Sequence, residues 1–545
     1  MLWLNRVRPA REATTPPAAR PQVEPEDEGR RAAQSRPRRS RGGVAVAAAA
    51  AAGTFLALVA RNSYLFTTPI HEDSDFAANS ILVDQAQQLR LLVGNYSRVH
   101  FHHPGPALLY VEAGGKALFH DLLHLVPTPY NGELLAVFVL NALLVGLTVR
   151  IVFRHGASAA VAAVALAIIL AWTAGHVPLS SVWFPHMYFA PFLLLAVAGA
   201  SVAGGTTEDM PAFILAGGLL VHGHVAFTMF VGVSAVVGLC AWWWSVRGRW
   251  RLELGKHWHA VAGAGLLLTL FLLPIVLELV LHWPGQWSLY LDYLRSRSGS
   301  PNPIPAALRY AAGFWSPSSG WGAALALAGA ACIGLAATDP ERPRGAFVLR
   351  LLGAVGLLTL LFVLYAVRGV DNLRQTYIGI FYGAVPLTLL LATGLAAGRL
   401  LDRAGRVAAG AVLGLACAVA VAAGVAGHTF ANGYRGDPEL PGMVATLRDA
   451  PARAGRPVTV VRFSHDAWPE VAGFVLAAHR EGLRACVDDA VWTFMLTPAY
   501  VCGSQERLAG WRLDIRLLRP PRAPPSGVVW TGSTVFVAPH PPDGR

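Results

Sequence analysis

The sequence predicts an all-α polytopic membrane protein with a small α/β domain at its C-terminal end, and three observations predict it. Of 545 residues, 54% are hydrophobic and only 14% are charged, and the mean hydropathy is +0.46. A soluble globular chain carries about 25% charged residues, so this much apolar surface does not fit one aqueous core. Apolar runs of about 20 residues, the length that crosses a bilayer, recur along the chain. The net charge of +12 gathers in the first 41 residues and in short loops, which is the positive-inside arrangement and not a nucleic-acid surface.

Residues 1–42 are rich in Pro, Arg, Ala and Glu and poor in aromatic and β-branched residues. They bury too little apolar area to offset ordering entropy, so a disordered basic cytoplasmic tail is expected. It is too long for the n-region of a signal peptide, and many spans follow it. About eleven spans are expected by the 20-residue rule. They lie near residues 43–61, 132–153, 156–175, 188–204, 210–222, 225–245, 259–281, 321–337, 346–367, 378–398 and 407–427. The fifth is short and ends in VHGH, as a broken or re-entrant helix would.

With the N-terminus inside, the inner loops are RIVFRHG, GGTTEDM, VRGRWRLELGKHW, TDPERPRG and GRLLDRAGR, and four of these five carry at least two basic residues. An odd number of spans then puts the C-terminal part outside. The expected domains are the tail 1–42, a membrane domain 43–429 with its first outer loop at 62–131, and an extracytoplasmic α/β domain 430–545. In that last domain VTVVRF reads as a buried strand, WPEVAGFVLAAHREG as an amphipathic helix ending at Gly482, and RACVDD and TVFVAP as further strands. Cys486 and Cys502 lie there as a disulfide pair in waiting, while Cys240, Cys332 and Cys417 sit in or beside apolar spans as small hydrophobes. No repeat of 20–50 residues is present.

The first outer loop opens with HEDSDF, residues 71–76. Two amphipathic helices follow, one from FAANSILVDQAQQLRLLV and one from ALLYVEAGGKALFHDLLHLV, and both are expected to lie at the membrane interface. Glu112 and Lys116 read as an i, i+4 pair. Between the helices the turn NYSRVHFHHPGP carries His100, His102 and His103. Glu72, Asp73 and Asp75 crowd the start of the loop. Asp75 precedes the first helix and is the candidate N-cap. Asp73 has no capping role, and a partly desolvated carboxylate near other acids becomes a usable general base. WFPHMY and HWPGQW place aromatics at the outer interface, where an anchoring belt is the ordinary reading.

An acidic cluster in the first outer loop, two interfacial helices, about eleven spans and an outer C-terminal domain together resemble the GT-C superfamily of polytopic glycosyltransferases. Glu72, Asp73 and Asp75 match the superfamily's Asp/Glu pattern by position, and which of them aligns with the catalytic acid stays open. FHHPGPALLY resembles a segment of actinobacterial membrane proteins of this type. The resemblance implies transfer from a polyprenyl-phosphate sugar, with decaprenyl-phosphate arabinofuranose as one donor, to a cell-envelope glycan or glycoconjugate on the outer face. Asp73 is then the expected general base, with Glu72 as the alternative. Arg98, followed by Arg374 and Arg368, would neutralise the departing phosphate through the planar guanidinium fork, and Tyr96, His102 and His103 complete the donor-binding set. The bland reading of each arginine is headgroup contact.

The three turn histidines invite a metal, but beyond His222 and His224 no further ligand is evident, and no metal site is assigned; a divalent cation at the phosphate stays open. No nucleotide-sugar site is expected, because no glycine-rich phosphate loop precedes a helix. A transporter or flippase of a lipid-linked sugar is the alternative, though the charge lies in loops and no internal repeat appears.

Overall fold

The computed structural model describes residues 25–156, 158–174, 178–296, 300–315, a few positions between 322 and 333, 343–396, 431–449, 456, 458–518 and 527–540. Residues up to 45 form one unit, whose described part is the start of a helix, and residues 46–545 form the other, which holds the rest of that helix and every later element. Helix α1 runs from Pro25 to Arg61. Its first part falls within the stretch expected as the tail, residues 1–42.

Seven helices among the described residues are long and apolar enough to cross a membrane: Gly42–Arg61, Pro129–Gly156, Phe184–Ala203, Phe227–Val246, Trp258–Leu281, Pro343–Arg368 and Thr376–Ala396. The chain is a multi-pass membrane protein on that evidence. Two expected spans are shorter helices, Ala159–Ala174 and Met210–Gly223, of 16 and 14 residues. Those expected near 321–337 and 407–427, with Cys417 and the first 24 residues of the tail, lie wholly or largely outside the described residues.

Two helices do form in the first loop, α2 at Ser74–Gln87 and α3 at Ala107–Gly115, the latter continuing as a π-helix over Lys116–Leu122. α2 does not present one polar face to water, as an interfacial helix would. It is buried on two sides, because the run AANSILV carries small and apolar residues all round. Ala77, Ala78 and Ile81 join the core beneath the C-terminal sheet, and Leu82, Val83 and Ala86 join the core of the membrane helices. The expected Glu112–Lys116 pair does not form. Lys116 turns to Asp84 of α2 at 2.5 Å, and Glu112 faces α4, Pro129–Gly156, in a buried position.

The C-terminal part contains a five-stranded sheet: β1 Thr459–Phe463, β2 Ala485–Val487, β3 Trp511–Leu517, β4 Trp530–Thr531 and β5 Val535–Pro539. Its order is β2-β1-β3-β5-β4, with β1 parallel to β2 and β3, and β5 antiparallel to β3 and β4. The stretch WRLDIRL, not anticipated as a strand, supplies β3 at the centre. The disulfide Cys486–Cys502 is present. The Trp468–Arg480 helix packs on α2, and Gly473 makes the approach possible: a Cβ there would lie 2.7 Å from the Glu72 carbonyl oxygen.

Candidate functional site

The three acids of HEDSDF go to three different places. Glu72 is buried and pairs with Arg480 at the C-terminal end of the Trp468–Arg480 helix. Arg480 also lies 3.8 Å from both Asp84 and Glu133. Burial opposes the Arg480 charge, and the three carboxylates more than restore it, so its pKa stands above the ordinary arginine value.

Asp73 is the N-cap residue of α2, with extended backbone and no side-chain capping bond. Its carboxylate accepts a hydrogen bond from Tyr434 Oη at 2.6 Å, and Tyr434 Oη accepts one from the Asp73 amide at 2.8 Å. The Tyr434 ring stacks on Phe76 with centroids 3.9 Å apart. Burial raises the Asp73 pKa and the Tyr434 hydrogen bond lowers it, with a net rise.

Asp75 is not the cap. Because α2 begins at Ser74, Asp75 falls within the first helical turn. Its Oδ1 accepts from Tyr96 Oη and its Oδ2 from Trp183 Nε1 at 3.0 Å. Both carboxylate oxygens are thus gripped from opposite elements, and Asp75 alone of the three acids lines the large cavity.

That cavity encloses about 730 Å³. Arg98, His103 and Arg368 line it with Asp75, Tyr96 and Trp183, and Phe101, Tyr290, Tyr293, Tyr365 and Tyr377 contribute aromatic wall. Met229 and Leu364 also line it; they belong to the apolar helices Phe227–Val246 and Pro343–Arg368, so part of the wall is membrane-spanning. Arg98 extends across to the 371–375 loop, donating to Asp371 and to Gln375, each at 2.9 Å.

His103 and His224 stand ring to ring in the cavity, with centroids 4.1 Å apart. The His103 Nδ1 accepts from the Val225 amide at 3.4 Å and the His224 Nδ1 from the Ala226 amide at 3.1 Å. Each ring therefore carries its proton on Nε2 when neutral. Burial lowers the His103 pKa well below the ordinary value, with His224 adding to the effect, and burial holds His224 at about 4. Both imidazoles are neutral N–H donors at pH 7.

Of the expected donor-binding residues, Tyr96, Arg98, His103 and Arg368 meet in this cavity. His102 does not. It faces the other side of its loop, where its Nδ1 lies 3.1 Å from the Gly94 carbonyl. Nor does Arg374 line the cavity; its backbone amide donates to Asn372 Oδ1 in the turn of the 371–375 loop. His222, weighed as a metal ligand, accepts from the Ala107 amide at 3.2 Å and lies 2.6 Å from the Phe271 carbonyl oxygen, a structural pin. Among the described residues, no group of three or more His, Cys, Asp or Glu is placed to hold a metal.

Sequence reasoning missed Trp183, Asp371, Tyr434 and Arg480. Trp183 carried a signal, as part of an aromatic cluster, but was read as membrane belt. The others are joined to the first loop only by the fold.

Glu112 offers a test of the packing around this site. One carboxylate oxygen is buried without a partner, and burial, with Glu133 second, pushes its pKa well above 4.5. A raised carboxyl pKa means stability is fully present below the unfolded value and is lost as pH rises toward the folded one. Glu112→Gln is expected to raise thermal stability at pH 8, by an amount that grows from about pH 4.5 upward at up to about 1.4 kcal/mol per pH unit, and to change little at pH 4. Thermal unfolding across that range checks it.

No family model matches the chain, and no curated protein matches it. Among solved structures, the crystal structure of the Archaeoglobus fulgidus oligosaccharyltransferase, in complex with zinc and sulfate, aligns with 87% of this chain and 68% of its own at 12% identity, with a TM-score of 0.38. A likeness this loose assigns neither fold nor activity.

Proposed function

We propose that the chain is a membrane glycosyltransferase of GT-C type that transfers a sugar from a polyprenyl-phosphate donor to a cell-envelope glycan or glycoconjugate, with Asp75 as general base. The observation that carries this reading is the composition of one cavity. A carboxylate held at both oxygens shares about 730 Å³ with Arg98, Arg368 and two neutral imidazoles, within a wall built partly from membrane-spanning helices.

In this reading the acceptor hydroxyl gives its proton to Asp75 as its oxygen bonds to the anomeric carbon. The bond from that carbon to the phosphate oxygen breaks, and its electron pair leaves with the polyprenyl phosphate. Arg98 and Arg368 take up the charge that develops on the phosphate, and His103 and His224 donate Nε2–H groups to phosphate or sugar oxygens. The apolar wall at Met229 and Leu364 suits the first units of the polyprenyl chain. The contact of Arg98 with Asp371 gives the guanidinium a carboxylate partner that the phosphate would replace.

Arabinofuranose is the sugar that the sequence resemblance suggests. An outer location for the C-terminal part is supported by its disulfide, since such bonds persist in oxidising compartments. The test is transfer by purified protein from a radiolabelled polyprenyl-phosphate sugar, compared with the matching nucleotide sugar. Product from the lipid donor alone is expected. Product from the nucleotide sugar without added lipid carrier would contradict the reading.

A further inference from the structure

The loop from Asn95 to His103 is a wall between two cavities. Tyr96 and His102 pair as an antiparallel bridge on either side of a turn at Arg98–His100. Asn95 to Val99, Phe101 and His103 line the large cavity, and His100 and His102 line a second one of about 270 Å³. Gln85 of α2 and Thr493, Phe494, Thr497 and Pro498 of the C-terminal part also line it, with Leu82, Leu91 and Val93 as an aliphatic side, and the proposed reaction has no use for it.

Two features mark it as more than a packing defect. Thr497 is buried, its hydroxyl has no hydrogen-bond partner, and its backbone is held at φ 65° and ψ 162°. That conformation is nearly confined to glycine, and such residues cluster at binding sites. His100 also has a positive φ, of 65°, and its ring lies 4.3 Å from that of Phe494. Phe494 in turn packs edge-on against Tyr96, the residue that holds Asp75.

We propose that this second cavity is a saccharide subsite that takes one glycosyl unit of the acceptor glycan; the proposal rests on the glycosyltransferase reading for the identity of that glycan. The chemistry of the lining points to a neutral polyol. No Asp, Glu, Lys or Arg lines it, which disfavours a phosphate or a carboxylate. Phe494 offers an aromatic ring whose negative face attracts the C–H groups of a sugar. Gln85 provides both donor and acceptor, and Thr497 an unused hydroxyl. The His102 Nδ1 is turned to the Gly94 carbonyl and burial lowers its pKa, so the neutral ring keeps Nε2 as an acceptor. The volume falls just below the roughly 300–1,000 Å³ of small-ligand pockets, as a site for a single ring should. It also shares a wall with the cavity of Asp75, where an acceptor chain must present its hydroxyl.

The test uses the full-length protein in detergent, titrated separately with a linear arabinofuranose oligosaccharide and a linear galactofuranose oligosaccharide and followed by saturation-transfer NMR. Saturable binding of one of them is expected. Phe494→Leu and Gln85→Ala should each weaken it about tenfold or more, a loss of about 1.4 kcal/mol, with unfolding temperatures close to that of the unaltered protein. Absence of saturable binding of both oligosaccharides, or equal binding by the Phe494 and Gln85 variants, overturns the subsite even if transfer from the lipid donor is observed. Binding that depends on Phe494 in a protein that transfers no sugar leaves the subsite standing and removes the glycosyltransferase reading.

Discussion

Asp75→Asn is expected to lower sugar transfer by about 10²–10⁴-fold while leaving the fold intact. Asparagine has the size of aspartate, and its Oδ1 still accepts from either Tyr96 or Trp183, so the first turn of α2 keeps its position. It cannot accept the proton of the acceptor hydroxyl. Asp73→Asn, by contrast, should retain most activity. Its side-chain oxygen still accepts from Tyr434 Oη, whose ring stacks on Phe76, and Asp73 does not line the large cavity. The measurement is initial transfer rate from a polyprenyl-phosphate sugar for both variants, with thermal unfolding as the control for folding. An active Asp75→Asn would remove the base from the proposed reaction. A dead Asp73→Asn with unchanged stability would return the role to the acid that the sequence favoured.

Arg480→Met is expected to lose about 3–5 kcal/mol of stability, the cost of leaving a buried carboxylate without its counter-ion. Glu72 is the acid stranded, and Asp84 and Glu133 lose a nearby cation. Adding Glu72→Gln to Arg480→Met should recover part of that loss, because the stranded charge goes with it. Unfolding of the two single variants and the double variant measures the coupling directly. A loss below about 0.5 kcal/mol for Arg480→Met would mean that the pair does not hold the C-terminal part to the first loop.

The membrane character of the chain was legible because it depends on composition and run length, which need no tertiary information. The importance of HEDSDF was also legible, since three carboxylates beside an apolar segment call for partners. Their division of labour was not. Glu72 finds Arg480 at a separation of 408 residues, and Asp73 finds Tyr434 at 361, and neither partner is distinguished by its local pattern.

The start of α2 decided the rest. Side chains on a helix turn by about 100° per residue, so the placement of Asp75 as cap or as first-turn residue determines where its carboxylate points. Helix boundaries read from sequence carry an error of that size. The burial of α2 on both sides was hidden for a similar reason. Its apolar residues fit an interfacial stripe until a second core, supplied by the C-terminal sheet, covers Ala77 and Ala78. Arg98 and Arg368 could be picked out by residue type as candidates for phosphate and do line the cavity, while Arg374, equally basic and six residues beyond Arg368, does not.

The most direct measurement is a cryo-electron microscopy structure of the Asp75→Asn protein with a polyprenyl-phosphate sugar bound. The phosphate is expected against the guanidinium groups of Arg98 and Arg368, with Arg98 released from Asp371, and the anomeric carbon facing residue 75. Density for the phosphate and sugar outside this cavity, with the Arg98–Asp371 pair intact, would contradict it.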